Sequence, residues 1–376
     1  MMIEPPPSRL RAFELPVSKP ARDVQLQHRQ RRYRNIALNA LLTVVLIAVL
    51  LLSAVSGPLL VSPAEAFKIV TGHLLPGMPW MSDGTLSVLQ DQAVWQFRLP
   101  RSLLAAIAGA ALALAGSLIQ AVVRNPLAEP YILGVSAGAG VGAVTVIVWG
   151  SAAVAGLPIS IAAFIGACAA TAAVYCFALR NGRVLPQRLI LSGVALGSLF
   201  SAITSYLTIT TDAQNVFSVM FFLLGSVSAA TMESLAIPAA ALLIATLVVL
   251  PNLSSLNALL AGEESATSFG VNVSKLRQLM LVTSALLTGA VVAVCGGIGF
   301  VGLVVPHIAR IVVGSDHRKM IPTALLSGAV FLATADLLAR TIAQPTEIPI
   351  GIITALVGAP FFLWLMRRGS AAKAGF

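Results

Sequence analysis

Apolar runs separated by short polar breaks set the frame of this chain. Long stretches almost free of charge cover residues 36–56, 100–121, 131–150, 157–179, 188–210, 234–250, 276–296, 319–340 and 350–366, and a shorter one covers 303–313. A helix needs roughly 20 residues to cross the hydrocarbon core of a bilayer. The 303–313 run therefore predicts a half-helix, or one that crosses only where the bilayer is thinned or the helix tilted. The expected fold is all-α, with ten transmembrane helices of which the eighth is short. An even number places both termini on the same side. One break stands out: Gly296-Gly297-Ile298-Gly299-Phe300-Val301-Gly302 lies within the apolar region and is followed by Pro306, His307 and Arg310. Backbone that leaves the helix at membrane depth must be buried in protein or line a cavity, because lipid cannot satisfy its polar groups. Discontinuous helices of this kind are a feature of transporters. The run is expected to shape a reversal into the short eighth helix.

Composition agrees with a membrane protein. Apolar residues make up 57% of the 376 positions and charged ones 10%, with mean hydropathy +0.91; a soluble chain carries about a quarter charged residues. The net charge of +10 does not point to nucleic acid, because the basic residues sit in clusters between apolar runs. With the N-terminus inside, 20 of the 24 Lys and Arg fall on the cytoplasmic side, leaving Lys68, Arg98, Arg101 and Arg340 outside; this is the positive-inside pattern. Residues 1–35 then form a basic cytoplasmic tail resting on anionic lipid. Residues 36–368 form the membrane domain, with an outer loop at 57–93 and an inner loop at 251–275, and residues 369–376 form a second cytoplasmic tail. The expected setting is a plasma (inner) membrane, crossed many times, with both termini cytoplasmic.

Small residues recur at helical spacing. Gly134, Gly138 and Gly142 form one stripe and Gly109, Ala113 and Ser117 another, both predicting close helix packing. On the 188–210 helix, Gly193, Gly197, Ser201 and Ser205 form a stripe that grows more polar. It fits either a wet pore wall or a packing face. Asp336 lies four residues before Arg340, so the two can pair across one turn.

Signs of chemistry are few. Gly134-Val135-Ser136-Ala137-Gly138 matches the G-x-S-x-G elbow, but that motif requires a strand-to-helix turn, and here it opens an apolar helix. An intramembrane serine protease using Ser136 and His307 is a remote alternative, and no catalytic residue is assigned. The four histidines lack metal-ligand spacing, and Cys168, Cys176 and Cys295 sit in apolar segments as small hydrophobes; no metal site is expected. None of the five lysines follows a glycine, so no G-x-x-x-x-G-K phosphate loop exists. No cofactor is expected in this chain, and ATP-driven work would need a separate subunit. Buried acids of the kind a proton-coupled pump displays are scarce, yet a stand-alone secondary transporter remains the alternative. The inner loop carries Leu256, Leu259, Leu260 and Phe269 around Gly262-Glu263-Glu264-Ser265-Ala266-Thr267-Ser268-Phe269-Gly270, which suits either a solvated loop or a docking element for a cytoplasmic partner.

Several motifs occur in an order that resembles a known family. They are Arg98-Leu99-Pro100-Arg101, Gly109-Ala110-Ala111-Leu112, Arg124-Asn125-Pro126-Leu127-Ala128-Glu129-Pro130 and Leu133 to Gly138. The stretch from Gly296 through Gly314 follows, then Asp316-His317-Arg318, Ala335-Asp336 to Arg340, Glu347-Ile348-Pro349-Ile350-Gly351 and Gly358-Ala359-Pro360. Together, from about residue 94 to 368, they resemble the permease family of ATP-driven importers for iron-siderophores, haem and cobalamin. The resemblance implies a ten-helix subunit working as a homodimer, or with a close paralogue. It also implies two cytoplasmic ATPase subunits that bind ATP and Mg, and a periplasmic or surface binding protein. By the same resemblance, Arg98, Arg101 and Arg340 would dock the binding protein. Leu259, Leu260, Gly262, Glu263, Ala266, Phe269 and Gly270 would couple to the ATPase, with Ala261 and Phe269 standing where the family usually has leucine. Pro186 and Gln187 would form the inner gate of a path walled by Gly193, Gly197, Ser201 and Ser205. The expected cargo is an iron chelate, iron(III)-siderophore first and haem or cobalamin next, since no cluster of Tyr, His or Met marks a haem path.

Overall fold

The computed structural model describes residues 21–75, 77–180, 183–344 and 346–373. Fifteen α-helices are described among them: α1 (Ala21–Val55), α2 (Pro63–Leu74), α3 (Val88–Gln92), α4 (Leu99–Val123), α5 (Val135–Trp149), α6 (Ile159–Ala178), α7 (Pro186–Ile209), α8 (Ala213–Leu224), α9 (Ala236–Val249), α10 (Leu253–Leu260), α11 (Glu263–Ser268), α12 (Val273–Cys295), α13 (Val301–Val313), α14 (His317–Thr341) and α15 (Ile350–Lys373). A two-residue antiparallel pair, Leu179–Arg180 with Arg183–Val184, closes the turn between α6 and α7. The all-α class therefore holds.

Every predicted apolar run lies on a helix. Seven helical stretches among the described residues are long and apolar enough to cross a membrane; Val135–Trp149, Ala213–Leu224, Val301–Val313 and Ile350–Trp364 are shorter apolar helices. Two boundaries differ from the sequence reading, and one helix is new. Helix α1 begins at Ala21, inside the basic tail, because nothing from Ala21 to Val55 includes Gly or Pro to stop it. Helix α15 likewise continues to Lys373. Helix α8 was not expected at all: twelve residues are too few to register as a span.

Helix α4 is the axis of the bundle. It is buried along nearly its whole length, between α12, α13 and α14, and it can be because its middle, from Ala105 to Ser117, is mostly Ala and Gly. A Cβ added at Gly109 would overlap the carbonyl of Gly328 in α14, and one at Gly116 would overlap the carbonyl of Gly302 in α13. Helices thus meet backbone to backbone, the arrangement that small-xxx-small faces permit. The Gly138 stripe does the same for α5 against Gly166 of α6. The polar groups in this packing find partners within it: Ser284 Oγ donates to the Ala115 carbonyl at 3.0 Å, and Gln120 Nε2 to that of Leu303 at 3.1 Å.

The glycine run breaks the chain between α12 and α13. Gly296 turns at φ +68°, and Phe300, although not a glycine, holds φ +67° at the start of α13. The freed backbone groups are met one by one. Ser226 N–H donates to the Cys295 carbonyl at 2.8 Å, and Phe300 N–H to Glu129 Oε1 at 2.8 Å. The Tyr131 hydroxyl accepts from Ile298 N–H at 2.8 Å and donates to the Ile298 carbonyl at 2.7 Å. This is the internal satisfaction that non-helical backbone needs at membrane depth. The break borders a cavity of about 530 Å3 lined by Leu223, Leu224, Phe300, Ile352, Leu356 and Pro360, among others.

Overpacking a tight contact typically costs about 1–3 kcal/mol. Gly116→Leu is therefore expected to lower the thermal unfolding midpoint of the purified protein in detergent by several degrees. Gly197→Ala, whose new Cβ would meet nothing within 4 Å, should leave the midpoint unchanged or slightly raised.

Candidate functional site

Three places gather the residues that the sequence reading singled out: the end of the bundle where α1, α4 and α14 meet, called outer after the expected orientation; the opposite loop around α10 and α11, called inner by the same convention; and the face of α7. At the outer end, a π-helical turn over Ala93–Arg98 runs directly into α4. Arg98 and Arg101 are three residues apart and so share one face. Arg340, near the end of α14, comes to the same place. The structure brings the three arginines together but does not leave them free, since Arg98 is 6%, Arg101 8% and Arg340 9% exposed.

Each guanidinium is engaged within the chain. Arg98 donates to the carbonyls of Ala54 at 3.0 Å and Val55 at 2.7 Å, and to that of Leu59. It thereby satisfies carbonyls at the C-terminal end of α1, where a helix leaves acceptors unpaired. Arg340 donates to the carbonyls of Ser53 at 2.7 Å and Ser56 at 3.3 Å and to the Ser53 hydroxyl, which also contacts Ser102. Arg101 Nε meets Asp336 Oδ1 at 2.7 Å, and its Nη1 meets both oxygens of Glu347, at 2.8 and 2.9 Å. The pair expected between Asp336 and Arg340 is present only at 3.9 Å. Arg101 is the closer partner, because α4 packs directly on α14 at that level. Asp336 is wholly buried, and Glu347, 41% exposed in its side chain, is the part of the cluster most open to solvent.

At the inner end, α10 and α11 form a compact elbow. Gly262 sits between them at φ +109° and Gly270 follows α11 at φ +81°; these are conformations that a residue with a Cβ adopts only under strain. Leu256, Leu259 and Ala266 are buried and pin the elbow to the bundle, whereas Leu260 is 50% and Phe269 75% exposed. Glu263 accepts from Arg277 Nη2 at 2.6 Å, which ties α11 to α12. Ser254 Oγ and Arg318 Nη2 are 2.8 Å apart.

One residue of this elbow escaped the sequence reading. Asn257 Nδ2 donates to Asp316 Oδ1 at 2.7 Å, and Asn257 Oδ1 accepts from His317 N–H and from His317 Nδ1, both at 2.8 Å. Asp316 is the N-cap of α14 and also accepts from Arg318 N–H at 3.1 Å. Burial pushes the Asp316 carboxyl up, but the hydrogen bonds from Asn257 and Arg318 and the charges of Lys319 and Arg318 outweigh it, so its pKa lies below the ordinary value. A lone Asn in a polar loop carries no pattern that could have flagged it.

The face of α7 divides. Gly193 is a packing residue, since a Cβ there would overlap the Ile132 carbonyl. Gly197 meets open space, and Ser201 and Ser205 are exposed. Pro186 opens the helix and Gln187 beside it is exposed. Ser136 lies against Gly297, while His307 lines a small cavity with Pro126, Leu127, Leu303, Val304, Phe361 and Phe362. The two residues of the protease alternative thus line different surroundings.

Known proteins match this arrangement. The profile of the FecCD transport family matches residues 45–368, a span that includes the 57–93 loop which the motif resemblance left out. The cobalamin import system permease protein of Halobacterium salinarum is 39% identical over 366 residues, covering 90% of this chain and 98% of that protein. The hemin transport system permease protein of Yersinia pestis is 39% identical over 292 residues, covering 76% of this chain and 87% of that one. Among solved structures, a metal-chelate type ABC transporter in an inward-facing conformation superposes with a TM-score of 0.74 at 31% identity, covering 88% of this chain and 99% of that one.

Removing one partner of a buried ion pair typically costs about 3–5 kcal/mol, because the other charge stays buried and unpaired. Arg101→Leu is therefore expected to lower the thermal midpoint sharply. Adding Asp336→Asn should recover at least half of the loss, measured on the same purified protein in detergent.

Proposed function

Because the chain belongs to the FecCD transport family, we propose that it forms the membrane path of an ATP-driven importer that takes a large metal chelate from a binding protein into the cytoplasm. The observation that carries this reading is the exposed elbow of α10 and α11, with Leu260 and Phe269 projecting from a loop that the buried Leu256, Leu259 and Ala266 hold to the bundle. Such a surface fits a partner subunit that hydrolyses ATP and Mg-ATP chemistry outside this chain. The working assembly is two copies of the permease, or one with a close paralogue, two ATPase subunits and one binding protein on the outer face. In this reading the chain crosses a plasma (inner) membrane ten times with both termini cytoplasmic, an orientation that the clustering of Lys and Arg supports. The open part of the α7 face, from Gly197 through Ser201 to Ser205, lines the path in this scheme, and Pro186 with Gln187 stands at its inner gate.

Docking of the binding protein is assigned to the outer cluster of Arg98, Arg101 and Arg340. All three guanidinium groups already have acceptors, so carboxylates of a partner would reach them by exchange, with Glu347 the first to be displaced. The same groups also hold the outer ends of α1, α4 and α14 in register beneath the docking surface. Complementary charge of this kind sets orientation and on-rate more than affinity.

The relatives named for cobalamin and hemin support a tetrapyrrole-sized chelate as cargo, and cobalamin is the first to test. Iron(III)-siderophore is the second reading, favoured over haem by the lack of a Tyr, His or Met cluster along the path. Uptake into proteoliposomes holding permease and ATPase, with the cognate binding protein outside, separates the three. Cobalamin accumulation at least tenfold above the other two is the expected result, and accumulation of none of them would sink the importer reading.

A second test addresses the elbow. Truncating an anchor residue at an interface commonly costs 2 kcal/mol or more, roughly thirtyfold in binding. Phe269→Asp is expected to weaken co-purification of the ATPase by at least tenfold without moving the thermal midpoint of the isolated permease.

A further inference from the structure

The inner elbow and the outer charge cluster lie at opposite ends of one helix. Asp316 caps α14 at the inner end, and Asp336 and Arg340 lie near the outer end, about 30 Å and about 36 Å from the cap at 1.5 Å per residue. Most of the hydrogen bonds that join the elbow to α14 come from one side chain. Asn257 spends its amide on Asp316 Oδ1 and its carbonyl oxygen on both His317 N–H and His317 Nδ1. The orientation of this amide is fixed by chemistry. A carboxylate can only accept and a backbone N–H can only donate, so Nδ2 must face Asp316 and Oδ1 must face His317. Because Oδ1 can only accept, His317 carries its proton on Nδ1. His317 is 1% exposed, so water cannot replace the bond if Asn257 is lost. The other links of the elbow differ in kind: Arg318 reaches Ser254 from an exposed position, and Arg277 holds Glu263 to α12 rather than to α14.

We infer that Asn257 is the positioning residue that makes α10 and α14 move as one body, so that a displacement of the elbow by the ATPase reaches the outer cluster around Asp336. The inference rests on the importer reading above, and it adds the helix through which the stroke travels. Neighbouring contacts support it. Leu256 and Leu259, on the same helix as Asn257, are buried against the bundle, so α10 lacks a soft layer in which a push could dissipate. At its far end, α14 carries Asp336, held by Arg101 of α4, and Arg340, held by carbonyls at the end of α1. A shift of α14 along its axis therefore strains both contacts at once.

The test uses the whole complex of permease, ATPase and binding protein in proteoliposomes, and reads cargo taken up per ATP hydrolysed. Asn257→Leu removes all three bonds at a half-buried site. It is expected to keep ATPase co-purification and basal ATP hydrolysis near wild type while cutting uptake per ATP about tenfold. Asn257→Asp places a carboxylate against Asp316 and should do the same. Asp316→Asn alone keeps an acceptor for Asn257 and should stay within about twofold of wild type. Combined with Asn257→Asp it removes the like-charge contact and should restore most of the coupling. A role in stability alone would lower the amount of complex without changing uptake per ATP. Normal coupling in Asn257→Leu, or failure of Asp316→Asn to rescue Asn257→Asp, would overturn the inference. A wild-type complex without ATP-driven uptake would instead overturn the importer reading on which it rests.

Discussion

Backbone-to-backbone contact along α4 is the constraint on which the rest of the structure depends. A buried helix can be that close to its neighbours only where side chains are absent, and Gly109 against Gly328 and Gly116 against Gly302 supply those places. Water offers no driving force between helices inside a bilayer, so close packing and internal hydrogen bonds carry the association. Gly302 belongs both to this contact and to the glycine run. The break between α12 and α13 is therefore locked to α4 on one side and to Glu129 and Tyr131 on the other. The interruption is rigid, and it places α13 where it can pack.

From that axis the working parts extend to both ends. The outer ends of α1, α4 and α14 are stitched by three arginines, whose positive charge is absorbed partly by carboxylates and partly by the carbonyls that end α1. The inner end carries an elbow whose apolar side chains divide into buried anchors and exposed contacts. Because α14 reaches both ends in one unbroken helix, a force at the elbow has a short mechanical route to the arginine cluster. The fold supplies one continuous helix with a polar lock at each end, a suitable arrangement for passing a conformational change along its length.

Much of this was legible in the chain itself, for physical reasons. Apolar runs reported the helices because lipid leaves the backbone no other way to satisfy its hydrogen bonds. The frame from Gly262 to Gly270 marked the elbow because both glycines occupy left-handed backbone. Other features left no readable trace. Helix α8 is too short to stand out from the loops around it. Positive-inside counting sorts Arg98, Arg101 and Arg340 onto one expected side, yet it is blind to burial, and so the acceptors that engage all three within the chain left no mark in the sequence. The Gly193 stripe fitted either a pore wall or a packing face, and tertiary packing against Ile132 claims its first member while the others stay open. Asn257 is the extreme case, since its meaning arises entirely from the approach of two segments 59–60 residues apart in the chain.

The central claim is that this chain provides a path whose energy comes from ATP hydrolysed by another subunit. The most direct measurement is cargo uptake into proteoliposomes that hold the permease with its ATPase, with ion gradients abolished by ionophores and ATP supplied inside or withheld. The account predicts uptake that requires ATP and binding protein and is indifferent to the ionophores. Uptake by the permease alone, driven by an imposed ion gradient without ATP, would contradict it.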